Sequence, residues 1–259
     1  MRSKEVQFFM ALAMLFALIA MTSPASARGV YDGTVWSEST TLVVEENGDE
    51  DPFNVEAQKT SDPLEKFNRA MFTFNDKLYF WFMKPIARVY QTFIPLGIRV
   101  CIRNVYHNAM MPVRLLNCTF QGKFNAAGTE LARFTINTTL GAGGMFDFAK
   151  TEYQLKRHDE DFGQTMGFHG MRPIAFINWP LLGPSSVRDT LGTVVDRFLD
   201  PLTYVYPEAW VGAAVSGGRI VNNTSLTLGD YEDFKKSALD PYVSMRDAFL
   251  QNRARAIKE

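Results

Sequence analysis

Cysteine and histidine are scarce in this chain, with Cys101 and Cys118 the only cysteines and three histidines among 259 residues. Neither cysteine belongs to a CxxC pair, and His107, His158 and His169 lack the tight spacing of a metal site. If the chain is exported, a disulfide between Cys101 and Cys118 is permitted, and two reduced or buried thiols are the equal alternative. Charge of one sign is also missing. The 27 basic and 28 acidic residues leave a net charge of −1, and the basic ones are scattered, which argues against a nucleic-acid partner. Phosphate-binding and dinucleotide loops are absent, because Leu140-Gly141-Ala142-Gly143-Gly144 fits neither pattern and no strand precedes it. There is no G-x-S-x-G elbow, and Gly183-Pro184-Ser185-Ser186 does not make one. His158 with Asp159, Glu160 and Asp161 reads as a solvated charged loop rather than a hydrolytic cluster. These absences point away from an enzyme, a metal site or a bound cofactor.

Long apolar runs are missing as well, apart from Phe8 to Met21, which is too short to be a comfortable spanning helix. Arg2 and Lys4 precede that run, and Ala25-Ser26-Ala27 follows it with the small-x-small form of a cleavage site. Residues 1–27 therefore read as a cleavable export signal. Residues 28–60, with Glu45, Glu46, Asp49, Glu50 and Asp51, read as a flexible acidic lead.

What the chain does have is aromatic and apolar bulk: 13% aromatic residues, with 21 phenylalanines and 12 methionines. Asp62 or Ser61 is placed to cap a helix that has Pro63 in its first turn and runs to about Met83. Phe67, Met71, Phe74, Leu78 and Phe82 make one stripe along it. Phe72, Tyr79, Phe80 and Trp81 widen the apolar surface beyond what a one-sided helix needs. Such a helix is either buried on most sides or lies against lipid. Phe72, Phe74, Tyr79, Phe80, Trp81 and Phe82 are the candidate membrane-facing residues.

Lys84-Pro85 is expected to interrupt this helix. Further helices are expected over 86–95, 97–111, 125–139, 185–198 and 210–226, with a last one from Asp240-Pro241 toward Arg253. Arg99, Arg103 and His107 share one face of the 97–111 helix, and Pro112 breaks or kinks it. Gly141, Gly143 and Gly144 stop the 125–139 helix and are a candidate hinge. The stretch 171–184, with three prolines and hardly any charge, reads as irregular and packed against protein or a membrane interface. Ala213-x-x-x-Gly217 and Ala214-x-x-x-Gly218 would admit a close neighbouring helix. The expectation is an all-α single domain over 61–250 with little strand, followed by a frayed basic tail at 251–259.

Taken in order, the residues resemble a known family. Asp62-Pro63-Leu64-Glu65, Phe67-Asn68-Arg69, Phe72 and Phe74-Asn75 open the series. Asn104, Pro112, Asn117 and Gln121-Gly122 continue it, then Arg133-Phe134, Asn137-Thr138, Gly141, Gly144 and Asp147. Glu160 to Gly167, Gly170, Pro180, Gly183-Pro184-Ser185, Arg188-Asp189 and Gly192 follow, and Asp240-Pro241-Tyr242 with Arg246-Asp247-Ala248 closes it. This ordered set is similar to the MlaA/VacJ family, the outer-membrane component of a retrograde phospholipid transport system. The sequence departs from that pattern in two ways. No cysteine stands at the export junction to carry a lipid anchor, and Arg172-Pro173-Ile174-Ala175-Phe176 replaces a glycine-rich run.

The resemblance implies a ring of amphipathic helices embedded in the outer membrane and open toward the periplasm, with a polar central channel. It implies association with a trimeric porin and delivery of misplaced outer-leaflet phospholipid to a soluble periplasmic carrier, which serves an ATP-driven transporter. It implies no catalytic site and no cofactor. A polar path lowers the barrier to moving a headgroup across hydrocarbon, and guanidinium matches phosphate geometry. Arg69, Arg99, Arg103, Arg133 and Arg188 are therefore the candidate phosphate contacts, each with a structural ion pair or carbonyl clamp as the alternative. Other readings are a porin-associated envelope protein that moves no lipid and, further off, an envelope hydrolase.

Overall fold

The computed structural model describes residues 62–205 and 208–258. The export signal and the acidic lead expected from the sequence lie outside the described residues. The regular elements of the described residues are helices apart from one hairpin.

The first helix, α1 (Glu65–Leu78), begins after Pro63 but has no side-chain cap. The Asp62 carboxylate expected to cap it is drawn away instead. It accepts from Asn68 Nδ2 at 2.8 Å and from the Tyr242 hydroxyl, which ties the start of the fold to its last helix. Lys84-Pro85 does not break the chain's helical path. A π-helical turn, Tyr79–Met83, carries it into α2 (Lys84–Phe93), and Pro85 occupies the first turn of α2. The wider turn accommodates a residue with no amide hydrogen and a ring that collides with a regular i−4 carbonyl.

Helix α3 (Leu96–Ala109) ends at Met110, and Pro112 opens α4 (Met111–Phe120) instead of kinking α3. The turn at Gln121–Lys123 leads into α5 (Phe124–Thr139), where Cys118, Ala126 and Ala127 form a small apolar contact with Leu115. Cys101 and Cys118 are free, buried thiols, so the disulfide alternative is not realised. Short helices α6 (Phe148–Thr151) and α7 (Phe162–Phe168) sit in the charged stretch, capped by Asp147 and Asp161 respectively. The glycine corner after α5 is closely packed. Gly144 has φ +95°, and an added Cβ there would lie 2.6 Å from Asn108 Cβ. Its amide donates to Asn137 O at 2.8 Å, closing the helix end.

The stretch expected to be irregular forms an antiparallel hairpin, β1 (Phe176–Trp179) with β2 (Gly183–Ser186), in register Phe176↔Ser186 to Trp179↔Gly183. Two asparagines on one face of α1, seven residues apart, satisfy its free edge. Asn68 Nδ2 donates to Phe176 O at 3.0 Å, and Asn178 N donates to Asn68 Oδ1 at 2.9 Å. Asn75 Nδ2 donates to Trp179 O and Leu181 N to Asn75 Oδ1, at 2.9 and 2.8 Å. Phe176, in the segment that departs from the family pattern, is fully buried edge-on against Tyr242 and Phe249.

Ser186 caps α8 (Val187–Leu199), which packs closely on α7 and leads to α9 (Pro201–Val205). Helix α10 (Ala209–Leu226) lies against α2 and α3. Its small-residue faces do not mediate that packing, since a Cβ at Gly217 or Gly218 would meet nothing within 4 Å. Helix α11 (Asp230–Ser237) precedes α12 (Pro241–Lys258). The expected frayed tail is helix to Lys258, because Arg253 grips Asp161 at 2.6 and 2.8 Å and Asp189 at 2.6 Å.

The distribution of polarity is inverted relative to a water-soluble domain. Among the described residues, polar and charged side chains outnumber apolar ones at the buried positions. Trp81, Phe93, Leu182 and Trp210 are more than 70% exposed. Soluble monomers rarely leave so much large apolar surface open. Of the six expected membrane-facing residues, Phe74, Trp81 and Phe82 are exposed. The other three turn inward: Phe72 packs on Tyr242, while Tyr79 and Phe80 pack on Tyr231 of α11. Sequence periodicity cannot see that α11 covers this side of the π-helical turn.

Candidate functional site

The polar interior opens as a recess of about 190 Å³ lined by His107, Met110, Val113, Arg114, Asp159 and Glu160. Helices α3 and α4 form one wall, and the loop between α6 and α7 forms the other. The floor is a buried ion network. Glu130, fully buried on α5, accepts from Arg114 Nε at 2.6 Å and from the His158 amide at 2.7 Å. Arg133 Nε lies 4.0 Å from Glu130, and its Nη2 makes a fork onto Asp147 at 3.0 and 2.9 Å. Asn137 also donates to Asp147, at 2.9 Å, and Arg133 reaches the Leu155 carbonyl. Beside the floor, Glu160 accepts from Gln121 at 2.7 Å and from Lys123 at 2.8 Å. Buried charges of this kind persist only when each is matched and hydrogen-bonded.

The rim is built differently. Arg157 forks onto Asp159 at 2.6 and 2.7 Å, and the two side chains are 31% and 62% accessible. Asp159 also lines the recess, beside His107 and Glu160. Burial raises the pKa of Asp159, but the Arg157 guanidinium outweighs it and holds the carboxyl below its ordinary value.

His107 shares this environment. Burial first, then the positive charges of Arg157, Arg114 and Arg103, push its pKa from 6.5 down to about 3, opposed by Asp159. The imidazole is therefore neutral at physiological pH. Because the folded value is depressed, the unfolded chain binds the extra proton between pH 6.5 and about 3. His107 accordingly contributes stability that is present above about pH 6.5 and is lost as pH falls through that window. His107→Asn should flatten the acid limb of a thermal-unfolding profile between those values; an unchanged limb would contradict this environment.

The five arginines singled out from the sequence occupy different settings. Arg69 is paired with Glu65 and Asp240 at 2.8 and 2.9 Å, joining α1 to the start of α12. Arg99 donates to the Ser225 carbonyl at 2.7 Å and to its hydroxyl at 3.2 Å, stapling α3 to α10. Arg133 belongs to the floor of the recess. Arg188 sits on Asp189 at 3.0 Å and reaches the Met171 carbonyl at 3.3 Å. Neither Arg99 nor Arg103 has a carboxylate partner among the described residues, but Arg99 is held by Ser225, whereas Arg103, one helical turn before His107, is not so held, and burial together with Arg157 lowers its pKa. Sequence reasoning missed Arg157 and Asp159, which pair two positions apart in a charged stretch without periodicity, and Glu130, whose partners Arg114 and the His158 amide come from other elements. It also missed Arg219, whose guanidinium lies 4.2 Å from the Tyr106 ring centroid. Among the described residues, no cluster of three or more His, Cys, Asp or Glu is arranged to hold a metal.

Comparison with known proteins places this geometry. The family model described as MlaA lipoprotein matches residues 60–256. The "Intermembrane phospholipid transport system lipoprotein MlaA" of Haemophilus influenzae is 30% identical over 204 residues, covering 76% of this chain and 79% of that protein. The Escherichia coli protein of the same name is 30% identical over 197 residues, covering 75% and 77%. An uncharacterised protein of Rickettsia bellii is 30% identical over 199 residues, covering 76% and 77%. A solved structure from work on the "Structural basis for maintenance of bacterial outer membrane lipid asymmetry" superposes with a TM-score of 0.68 at 29% identity. It covers 76% of this chain and 99% of the other. The all-α fold expected from the sequence is thus shared across most of the chain's length, and the chain belongs to the MlaA lipoprotein family.

Proposed function

We propose that this chain removes misplaced phospholipid from the outer leaflet of the bacterial outer membrane and passes it to a periplasmic carrier, with no covalent chemistry of its own. The inverted polarity is the observation that carries this reading: charged and polar side chains fill the interior, and large apolar ones cover the outside. In lipid, the exposed aromatics are solvated, and the interior offers a headgroup the polar surroundings that hydrocarbon denies it. No described helix is long and apolar enough to cross a membrane. Amphipathic helices set into the lipid as a ring around a polar path meet both conditions. The relatives named for intermembrane phospholipid transport, and the fold shared with work on outer-membrane lipid asymmetry, support the same role here.

In this reading a trimeric porin steadies the ring, and a soluble carrier of an ATP-driven system supplies direction. Residues 1–27 act as the export signal. Cys101 and Cys118 are buried on helices, so neither carries a lipid anchor, and the exposed apolar faces hold the chain in the membrane. A photo-crosslinking residue placed at Met110, in the recess, should capture phospholipid in intact cells. One placed at Phe93, 76% exposed on the outside, reports ordinary annular lipid. Adducts at Phe93 without any at Met110 would favour an envelope protein that moves no lipid.

A further inference from the structure

We infer that Arg157 and Arg103 form a phosphodiester clamp at the rim of the recess, and that the Asp159 carboxylate occupies Arg157 in place of the phosphate when no lipid is there. This rests on the phospholipid-transport reading and names the part of the interior that recognises the headgroup.

The Arg157–Asp159 pair differs from the other ion pairs of the interior. Glu130 and Asp189 are buried and held by several donors each. Asp159 is mostly accessible, and its carboxylate is bound by Arg157 alone among the described residues. The two residues are separated by one position on a loop, so the carboxylate swings into water without disturbing a helix. An accessible pair of this kind contributes little to stability. A guanidinium fork that fits a carboxylate in two parallel hydrogen bonds also fits the oxygens of a phosphodiester. Asp159 therefore presents to Arg157 the same chemistry as the ligand.

Arg103 supplies the second cation. It lies one turn from His107 on the same face of α3, and His107 lines the recess together with Asp159. With Asp159 displaced, Arg157 loses the carboxylate it is hydrogen-bonded to, and Arg103 has none of its own among the described residues. Neutral His107 adds no competing charge. Met110 and Val113 give the same recess an apolar edge, which suits the glycerol and acyl portion of a lipid and has no use for inorganic phosphate.

The test is binding to the full chain in detergent micelles, using dihexanoyl phosphatidylglycerol, inorganic phosphate and dihexanoylglycerol as separate probes. Asp159→Asn removes the internal competitor and should tighten binding of the short-chain phospholipid about tenfold. Arg103→Gln and Arg157→Gln should each weaken it about tenfold, since each removes a charge-assisted contact. The double variant Arg157→Gln/Asp159→Asn should show no gain over Arg157→Gln alone. Arg157→Lys, which keeps the charge and loses the fork, covers the case in which Arg157→Gln does not fold, and should also weaken binding.

Unchanged or weaker binding by a folded Asp159→Asn overturns the proposal. Equal binding of inorganic phosphate, with the same arginine dependence, overturns its lipid part in favour of a free-phosphate site. Tight binding of dihexanoylglycerol overturns the phosphate requirement. If the clamp fails here while loss of the chain still disturbs outer-leaflet phospholipid, the clamp alone falls. If the clamp binds and loss of the chain disturbs nothing, the transport reading falls.

Discussion

Glu130→Ala is expected to destabilise the fold by on the order of 3–5 kcal/mol. Glu130 is fully buried and is the carboxylate that Arg114 meets at 2.6 Å, while Arg114 itself is 7% exposed. Its removal strands a guanidinium where water does not compensate it, and it also leaves the His158 amide without its acceptor. The carbonyl of His107, which accepts from Arg114 Nη1 at 2.9 Å, does not neutralise a charge. Domains of this kind are stable by about 5–15 kcal/mol, so the loss takes a large share. Glu130→Gln keeps an acceptor for the amide and should fall between the two. Thermal unfolding followed by circular dichroism in detergent reads both, and a melting curve for Glu130→Ala that overlays the unmodified protein would contradict the assigned network.

The second large effect belongs to Gly192. A Cβ at this position of α8 would lie 2.3 Å from Gly163 N and 2.6 Å from Gly163 Cα, backbone atoms that cannot rotate away. Gly192→Ala therefore has to push α7 off α8. Asp161, which caps α7 and holds Arg253 of α12, moves with it. Overpacking costs about 1–3 kcal/mol even where side chains relieve it, and the loss of the α12 anchor adds to that. Gly217→Ala is the matched control. Nothing lies within 4 Å of its added methyl, and the better helix former should leave stability equal or raise it by up to about 1 kcal/mol. A Gly192→Ala melt matching that of Gly217→Ala would contradict the close approach of α7 and α8.

How far the fold is legible in the sequence depends on whether a signal is local. The helices follow from apolar spacing, and the turns at Gln121–Lys123 and around Gly144 follow from glycine. The caps at Ser186 and Asp161 lie in the residues just before their helices. The hairpin is not legible, because Phe176–Ser186 is held at its edge by Asn68 and Asn75, more than 100 residues away. A signal for it exists: two asparagines seven apart lie on one face of α1, where their side-chain amides can satisfy a neighbouring backbone. Asp62 illustrates the same limit, since a residue that fits a local cap is claimed by Tyr242 from the far end of the chain.

The arginines are legible in the sequence, and their partners are not. Guanidinium groups on helix faces are visible in sequence, and Arg103 was among those singled out. Whether each has a carboxylate opposite it depends on tertiary contacts. Those contacts consume Arg69, Arg133 and Arg188 in ion pairs and Arg99 in a carbonyl clamp. Arg157 and Asp159 sit in a stretch whose composition suggests only a solvated loop. Their significance comes from the recess that loop borders.

The central claim, that the chain clears misplaced phospholipid, is tested most directly by the amount of phospholipid exposed in the outer leaflet of cells lacking it, with a restored copy as control. The account predicts an increase that the restored copy reverses. An outer leaflet indistinguishable from that of the parent, in cells shown to make the protein normally before its removal, would contradict it.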